Sequence, residues 1–185
     1  IPTAIHLDGL ESRREKWRGM GARYYRWAER ASVRWGREVI ADAQAIADHV
    51  LAEYGRRCVV IPYGAQVIDP GSDRLPEVGV EPGAYHLVVA RFEPENHVLE
   101  AVDAYRRSSL TDPLIVVGSA PYSQWYVDAV HAAAGADPRI GFLGAVYDHQ
   151  LLDQLYANAT GYLHGHRVGG TNPSLLRAMG AGAPV

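Results

Sequence analysis

The chain has 185 residues, 48% of them hydrophobic, with 18 Lys+Arg against 21 Asp+Glu and a net charge of −3, which suits one ordinary domain, or a small domain with part of another, able to bury a core without staples. No apolar run reaches the roughly 18 residues of a membrane span, and no cationic-then-apolar opening marks a signal peptide. The lone Cys58 excludes an intrachain disulfide and a Cys-rich zinc site, the charge balance carries no nucleic-acid footprint, and the default compartment is the cytoplasm.

Charge is unevenly spread. Residues 1–37 hold nine basic residues against four acids, and the remaining residues hold nine against seventeen. The chain opens on Ile1-Pro-Thr-Ala-Ile-His6, already strand-like, and stops at Gly182-Ala-Pro-Val185, where another apolar strand is starting. A piece of a longer protein is expected.

In chain order, short apolar runs read as buried strands at Thr3–Leu7, Val39–Ala43, Cys58–Pro62, Tyr85–Arg91, Leu114–Gly118, Ile140–Ala145 and Gly161–His164. Helical periodicity falls between them. Ile46, Val50 and Tyr54 share a face of Ala45–Tyr54, and Val98, Val102 and Tyr105 share one of His97–Arg107. Asp148 caps a helix whose Leu151, Leu152, Leu155, Tyr156 and Ala159 lie on one side. Strands alternating with helices of this length predict an α/β fold of βαβ units with parallel sheets. The Pro- and Gly-rich stretch 67–83 breaks the rhythm and reads as a linker or a wrapped surface segment.

A helix over about 20–35 has an unusual face. Met20, Tyr24, Trp27, Ala28, Ala31 and Trp35 fall within an arc of roughly 100° at the helical period, with Arg23, Arg26, Arg30, Arg34 and Arg37 beside it. Two readings follow: an aromatic core stripe with a solvated flank, or a basic, aromatic surface that meets anionic lipid or an anionic acceptor.

The strongest chemical signal is His164-Gly-His-Arg-Val-Gly-Gly-Thr-Asn-Pro-Ser174. Pro173 suits the first position of a helix, which makes Asn172 its N-cap. The free amides of Ser174 and the next residues would then point out of a positive helix end, and Gly169 and Gly170 would let an anion approach the backbone. A tight, well-capped turn is the plain alternative. Arg91 closes one strand, where it could neutralise a diphosphate or pair with Glu93 or Glu95. Gly118 ends another strand, either as a close-approach turn or only as a turn. His164 and His166 could hold zinc only with a third ligand, and none stands at metal spacing. His6 and Asp8 sit at the end of the first strand, on the rim where parallel sheets bind ligands.

Six segments stand together: His6-Leu-Asp-Gly-Leu-Glu11 with Arg14-Glu-Lys-Trp17, Ile40-Ala-Asp-Ala43, Val60-Ile-Pro-Tyr-Gly64, Val89-Ala-Arg-Phe-Glu-Pro-Glu-Asn96, Gly169-Gly-Thr-Asn-Pro-Ser-Leu-Leu and Ala178-Met179. With them the chain resembles the retaining GT-B glycosyltransferases of family four, and more closely a bacterial rhamnosyltransferase-like subgroup of surface-polysaccharide synthesis. The resemblance implies two Rossmann-like domains facing a cleft. Residues 1–66 would be the second half of an acceptor domain, 67–83 a linker, and 84–185 an incomplete nucleotide-sugar domain, so the fragment alone would be inactive.

The resemblance further implies that Arg91, Asn96, Gly118, Gly169, Gly170, Thr171, Asn172, Ser174 and Arg177 line the donor. It puts His6 and Asp8 at the reacting centre and Glu11 on the acceptor side, with no metal or other cofactor. The partners would be a nucleotide-sugar and a glycan or lipid-linked acceptor at the inner membrane face. Two positions depart from the broad family. Asn96 replaces a Lys, and Arg177 stands where a carboxylate would accept from ribose hydroxyls, which a guanidinium cannot do. A non-catalytic nucleotide-sugar-binding module and a sugar-nucleotide epimerase are the alternative functions.

Overall fold

The computed structural model describes residues 2–10, 12, 17, 19–167 and 171–185. They form two compact units, one comprising the chain up to Gly64 together with Thr171 and Asn172, the other comprising Ala65–Arg167 and Pro173–Val185.

In the first unit, β1 (Ala4–Leu7), β2 (Glu38–Ala41) and β3 (Val59–Val60) form a parallel sheet in that order. α1 (Met20–Trp35) and α2 (Gln44–Tyr54) connect them. Its core is small: Leu10, Ala41, Ile46 and Ala47 cluster together, with Leu7, Ala43 and Cys58 packed on them. Val59 and Val60 are exposed. The expectation of a buried strand at Cys58–Pro62 is therefore corrected, because among the described residues β3 is an edge strand that pairs with β2 alone.

A second correction concerns α1. Met20, Tyr24, Trp27 and Trp35 are all exposed, and Val33 is the buried residue of the helix. The aromatic stripe is not core packing. Arg56 closes the end of the helix from outside, donating to the carbonyls of Val33 and Arg37. The Val33 carbonyl is one that a helix end leaves without an internal partner, and Arg37 lies just past the helix.

In the second unit, β4 (His86–Val89), β5 (Leu114–Val117), β6 (Ile140–Gly144) and β7 (Gly161–Tyr162) form a parallel sheet in the order β6-β5-β4-β7. Alternate side chains of β4 and β5 divide between two cores, as the period of two requires. Val88, Leu114 and Val116 meet α3 (Val98–Arg107) and α4 (Gln124–Ala134) through Val98, Val102, Tyr105, Tyr126 and Val130. Leu87, Ile115 and Val117 meet α5 (His149–Ala157) and α6 (Pro173–Gly180) through Leu151, Leu155 and Ala178. The result is a helix–sheet–helix sandwich of the doubly wound kind. The sequence reading did not single out α4, although Tyr126, Val130 and Ala134 recur every four residues on its buried face.

The stretch 67–83 lies within the second unit. It carries a 3-10 turn at Leu75–Val78, and Leu75 and Val80 are buried in the core. Gln154, fully buried on α5, fastens it. Its amide nitrogen donates to the Pro70 carbonyl at 3.0 Å and to Asp73 at 2.6 Å, and its oxygen accepts the Arg74 amide at 2.8 Å. Such a group is tolerated in a core because its hydrogen-bonding capacity is used.

Candidate functional site

The topology itself marks a place. β4 has β5 on one side and β7 on the other, with the helices to them leaving from opposite faces. In an open parallel sheet, ligands bind at the carboxyl ends of the strands where the winding reverses. Here that point lies between the loops after β4 and β7.

Those two loops are tied together. Asn96 donates through Nδ2 to the Arg91 carbonyl at 2.8 Å, and its Oδ1 lies 2.8 Å from His166 Nδ1. Arg167 donates its amide to the Glu95 carbonyl at 2.9 Å, and His97 Nδ1 contacts the Gly165 carbonyl at 2.6 Å. His97 holds φ at 50°, a left-handed value rare outside glycine. That conformation turns the chain from a short 3-10 turn at Pro94–Asn96 into α3. Gly165 has no room for a side chain, since a Cβ there would lie 2.6 Å from the Asn96 carbonyl oxygen.

Arg91 stands at the mouth. Its side chain is 57% exposed and lies 3.5 Å from Glu93, whose other oxygen accepts from Tyr122 at 2.8 Å. Glu93 is nearly buried and keeps its Tyr122 bond, so the long contact leaves the Arg91 guanidinium largely in solvent, where a stronger anion can reach it. His164 is half-buried with its ring tilted against Tyr162, and burial holds its pKa below the usual histidine value. It stands as a neutral ring near pH 7. The His164 and His166 rings are 6.0 Å apart, and among the described residues no group of three His, Cys, Asp or Glu could hold a metal ion.

An apolar cavity of about 560 Å³ lies behind these loops, lined by His97, Ala101, Ala104, Leu110, Leu163 and Val185 among others. Its lining offers a diphosphate no cation, and the polar site is at Arg91.

The remaining residues named from sequence have distinct settings. Gly118 follows β5 with φ at 144°, and its α-carbon abuts the Ala90 carbonyl, so what approaches it closely is protein backbone. Ser174, in the first turn of α6, shares hydrogen bonds with the buried phenols of Tyr156 and Tyr162. Arg177 lies against α5, bonded to Asp153 and to the His149 carbonyl. In the first unit, His6 and Asp8 are exposed at the end of β1, and the His6 ring packs edgewise on Tyr63 at 5.8 Å. Glu11, Gly169 and Gly170 lie outside the described residues.

One residue was not singled out from sequence. Asp42 follows Ala41 at the carboxyl end of β2 and is fully buried. Its Oδ2 accepts the Thr171 amide at 2.6 Å, and its Oδ1 has no hydrogen-bond partner among the described residues. The signal available was a carboxylate ending an apolar strand, which by itself cannot be told from a surface turn. Thr171 and Asn172 group with this unit.

Residues 3–66 match the model of a domain of unknown function, DUF1972. No curated protein matches the chain. HepE (Alr3699) of Anabaena, crystallised with UDP and glucose, superimposes over the whole chain with a TM-score of 0.79 at 25% identity. The fold is of the GT-B type.

Other GT-B neighbours agree at the level of fold. The sucrose-phosphate synthase of Thermosynechococcus elongatus is 18% identical, matches 88% of the chain and 43% of its own length, and has a TM-score of 0.73. A glycosyltransferase from Rickettsia africae is 18% identical over 69% of the chain and 37% of its own, with a TM-score of 0.59. The chain spans 52% of the length of HepE, about half of a GT-B protein of that size.

Proposed function

We propose that this chain is part of a glycosyltransferase that moves a sugar from a nucleoside-diphosphate donor to a glycan or lipid-linked acceptor. The observation that carries the reading is Arg91: a loosely paired cation at the carboxyl end of β4, at the reversal point of a GT-B sheet. The UDP bound in the HepE crystals supports a nucleotide as ligand. Residues 84–185 are the nucleotide-sugar side, and residues 1–66 belong to the acceptor side.

The chemistry asked of the site is stabilisation of a diphosphate leaving group. Arg91 supplies the positive charge, and the amides opening α6 add the dipole of a helix end. Asn96 holds the Arg91 loop in shape through the Arg91 carbonyl. The sugar is rhamnose on a dTDP carrier in the reading that the subgroup resemblance favours, transferred with retention of configuration. The resemblance assigns His6 and Asp8 to the reacting centre and Glu11 to the acceptor side.

The test is to isolate the full-length protein and incubate it with dTDP- and UDP-sugars and candidate acceptors. Sugar transfer with release of nucleoside diphosphate is expected, and Arg91→Ala should raise the donor KM at least tenfold, the worth of one charge-assisted hydrogen bond. Nucleotide binding without turnover would overturn the enzyme reading in favour of a binding module. Release of an epimer or free sugar without acceptor would mark an epimerase.

A further inference from the structure

We infer that the outer face of α1 is a docking surface for an anionic lipid bilayer. The inference rests on the first unit alone and is independent of the donor site.

The helix divides cleanly by charge and polarity. Its single acid, Glu29, is turned inward and 8% exposed, accepting from Tyr54 at 2.9 Å and lying 3.1 Å from His49 and 3.4 Å from Ser12. Burial and that carboxylate push the Tyr54 phenol up to about 12, so Tyr54 remains a donor and Glu29 remains held. No acid is left on the outer face of α1. There Arg23, Arg26, Arg30 and Arg34, followed by Arg37, are exposed with no side-chain hydrogen bond or ion pair among the described residues.

Beside this basic arc lies the aromatic one. Tyr24 and Trp27 are each 60% exposed and Trp35 is 72% exposed, with Trp27 within 6.3 to 6.4 Å of both other rings. Together with Met20 they form a continuous apolar strip along an exposed helix.

Charge complementarity selects the occupant. Unpaired arginines flanking Trp and Tyr suit the boundary of a bilayer, where indole and phenol rings sit at headgroup level and guanidinium groups meet lipid phosphates. A polar pocket of about 480 Å³ between the ends of α1 and α2 presents Arg30 and Arg34 beside Gly55, with Glu53 as its one acid against three arginines. The third arginine there, Arg56, is spent on backbone carbonyls, so Arg30 and Arg34 are the groups free to take a headgroup phosphate. A protein partner could use the rings, and a nucleic acid the arginines. The adjacency of both along one helix fits a lipid surface best.

The experiment is flotation of the full-length protein with vesicles of phosphatidylcholine alone or with added phosphatidylglycerol, at low and high salt. Binding is expected only with the anionic lipid, weakening as salt rises. The triple variant Arg23→Gln/Arg30→Gln/Arg34→Gln should bind about a hundredfold more weakly, roughly fivefold per charge lost near the surface. In a full-length variant whose every tryptophan other than Trp27 and Trp35 is replaced by Phe, emission should shift to the blue on binding and be quenched by brominated lipid. Equal binding by the triple variant, or no quenching, overturns the proposal. So do indoles shielded from acrylamide in the lipid-free protein, which would show the face covered by polypeptide. Retention by RNA with no vesicle binding overturns it in favour of a nucleic acid.

Discussion

Arg177 on α6 donates through Nε to Asp153 on α5 at 2.5 Å, while another of its nitrogens reaches the His149 carbonyl at 3.0 Å. Both side chains of the pair are about three-quarters buried. The guanidinium is therefore a clasp between two helices that cover one face of the sheet. Arg177→Glu sets a second carboxylate against Asp153, and the loss is about 2 kcal/mol, or roughly 5 °C in Tm. A thermal melt checks this, and the swap Arg177→Glu/Asp153→Arg should recover most of it. An unchanged melting temperature in the single variant would mean that the pair contributes nothing.

Gly118→Ala should be severely destabilising. The new Cβ would overlap the Ala90 carbonyl, which belongs to the neighbouring strand end and cannot swing away, and φ at 144° is strained for any side chain. Overpacking against backbone together with that strain costs about 3 kcal/mol, a fall in Tm of roughly 10 °C. Chemical denaturation of the soluble fraction measures it. A variant as stable as the parent would show that β4 and β5 part at this end without penalty.

Acid should expose the contribution of Asp137. Hydrogen bonds from the Arg139 side chain, and then from its amide, hold this carboxyl down from the usual 3.8 to about 2. Arg139 in turn donates to the carbonyls of Arg106, Ser108 and Leu110, so the pair ties the end of α3 to the start of β6. A depressed carboxylate pKa favours the folded state above the unfolded value and loses that effect as pH falls through the folded one. The contribution is thus complete above about pH 4 and fades toward pH 2. Asp137→Asn should melt below the parent at pH 7 and converge with it near pH 2. Parallel pH profiles would show that Asp137 is not the titrating group.

The sequence by itself determined the alternation of strands and helices, with α4 the helix it did not mark. Short apolar runs between helical stretches read as strands. Asp148 caps α5 as its type and position require, accepting the amides of Gln150 and Leu151. What shares a face was also legible, because the 3.6 period is a property of the helix alone. What that face meets was not, because burial is settled by residues distant in the chain. The aromatic strip of α1 reads identically as core or surface until the fold leaves Trp27 and Trp35 in solvent and turns Glu29 inward. The same holds for the site. Arg91 was visible as a cation ending a strand, but the knitting of Asn96 to His166, the burial of Asp42 and the turning of Arg177 onto Asp153 join residues 24 to 129 positions apart. Hydrogen bonds and ion pairs act over a few ångströms, so only the tertiary structure decides which of these groups face a ligand and which hold the protein together.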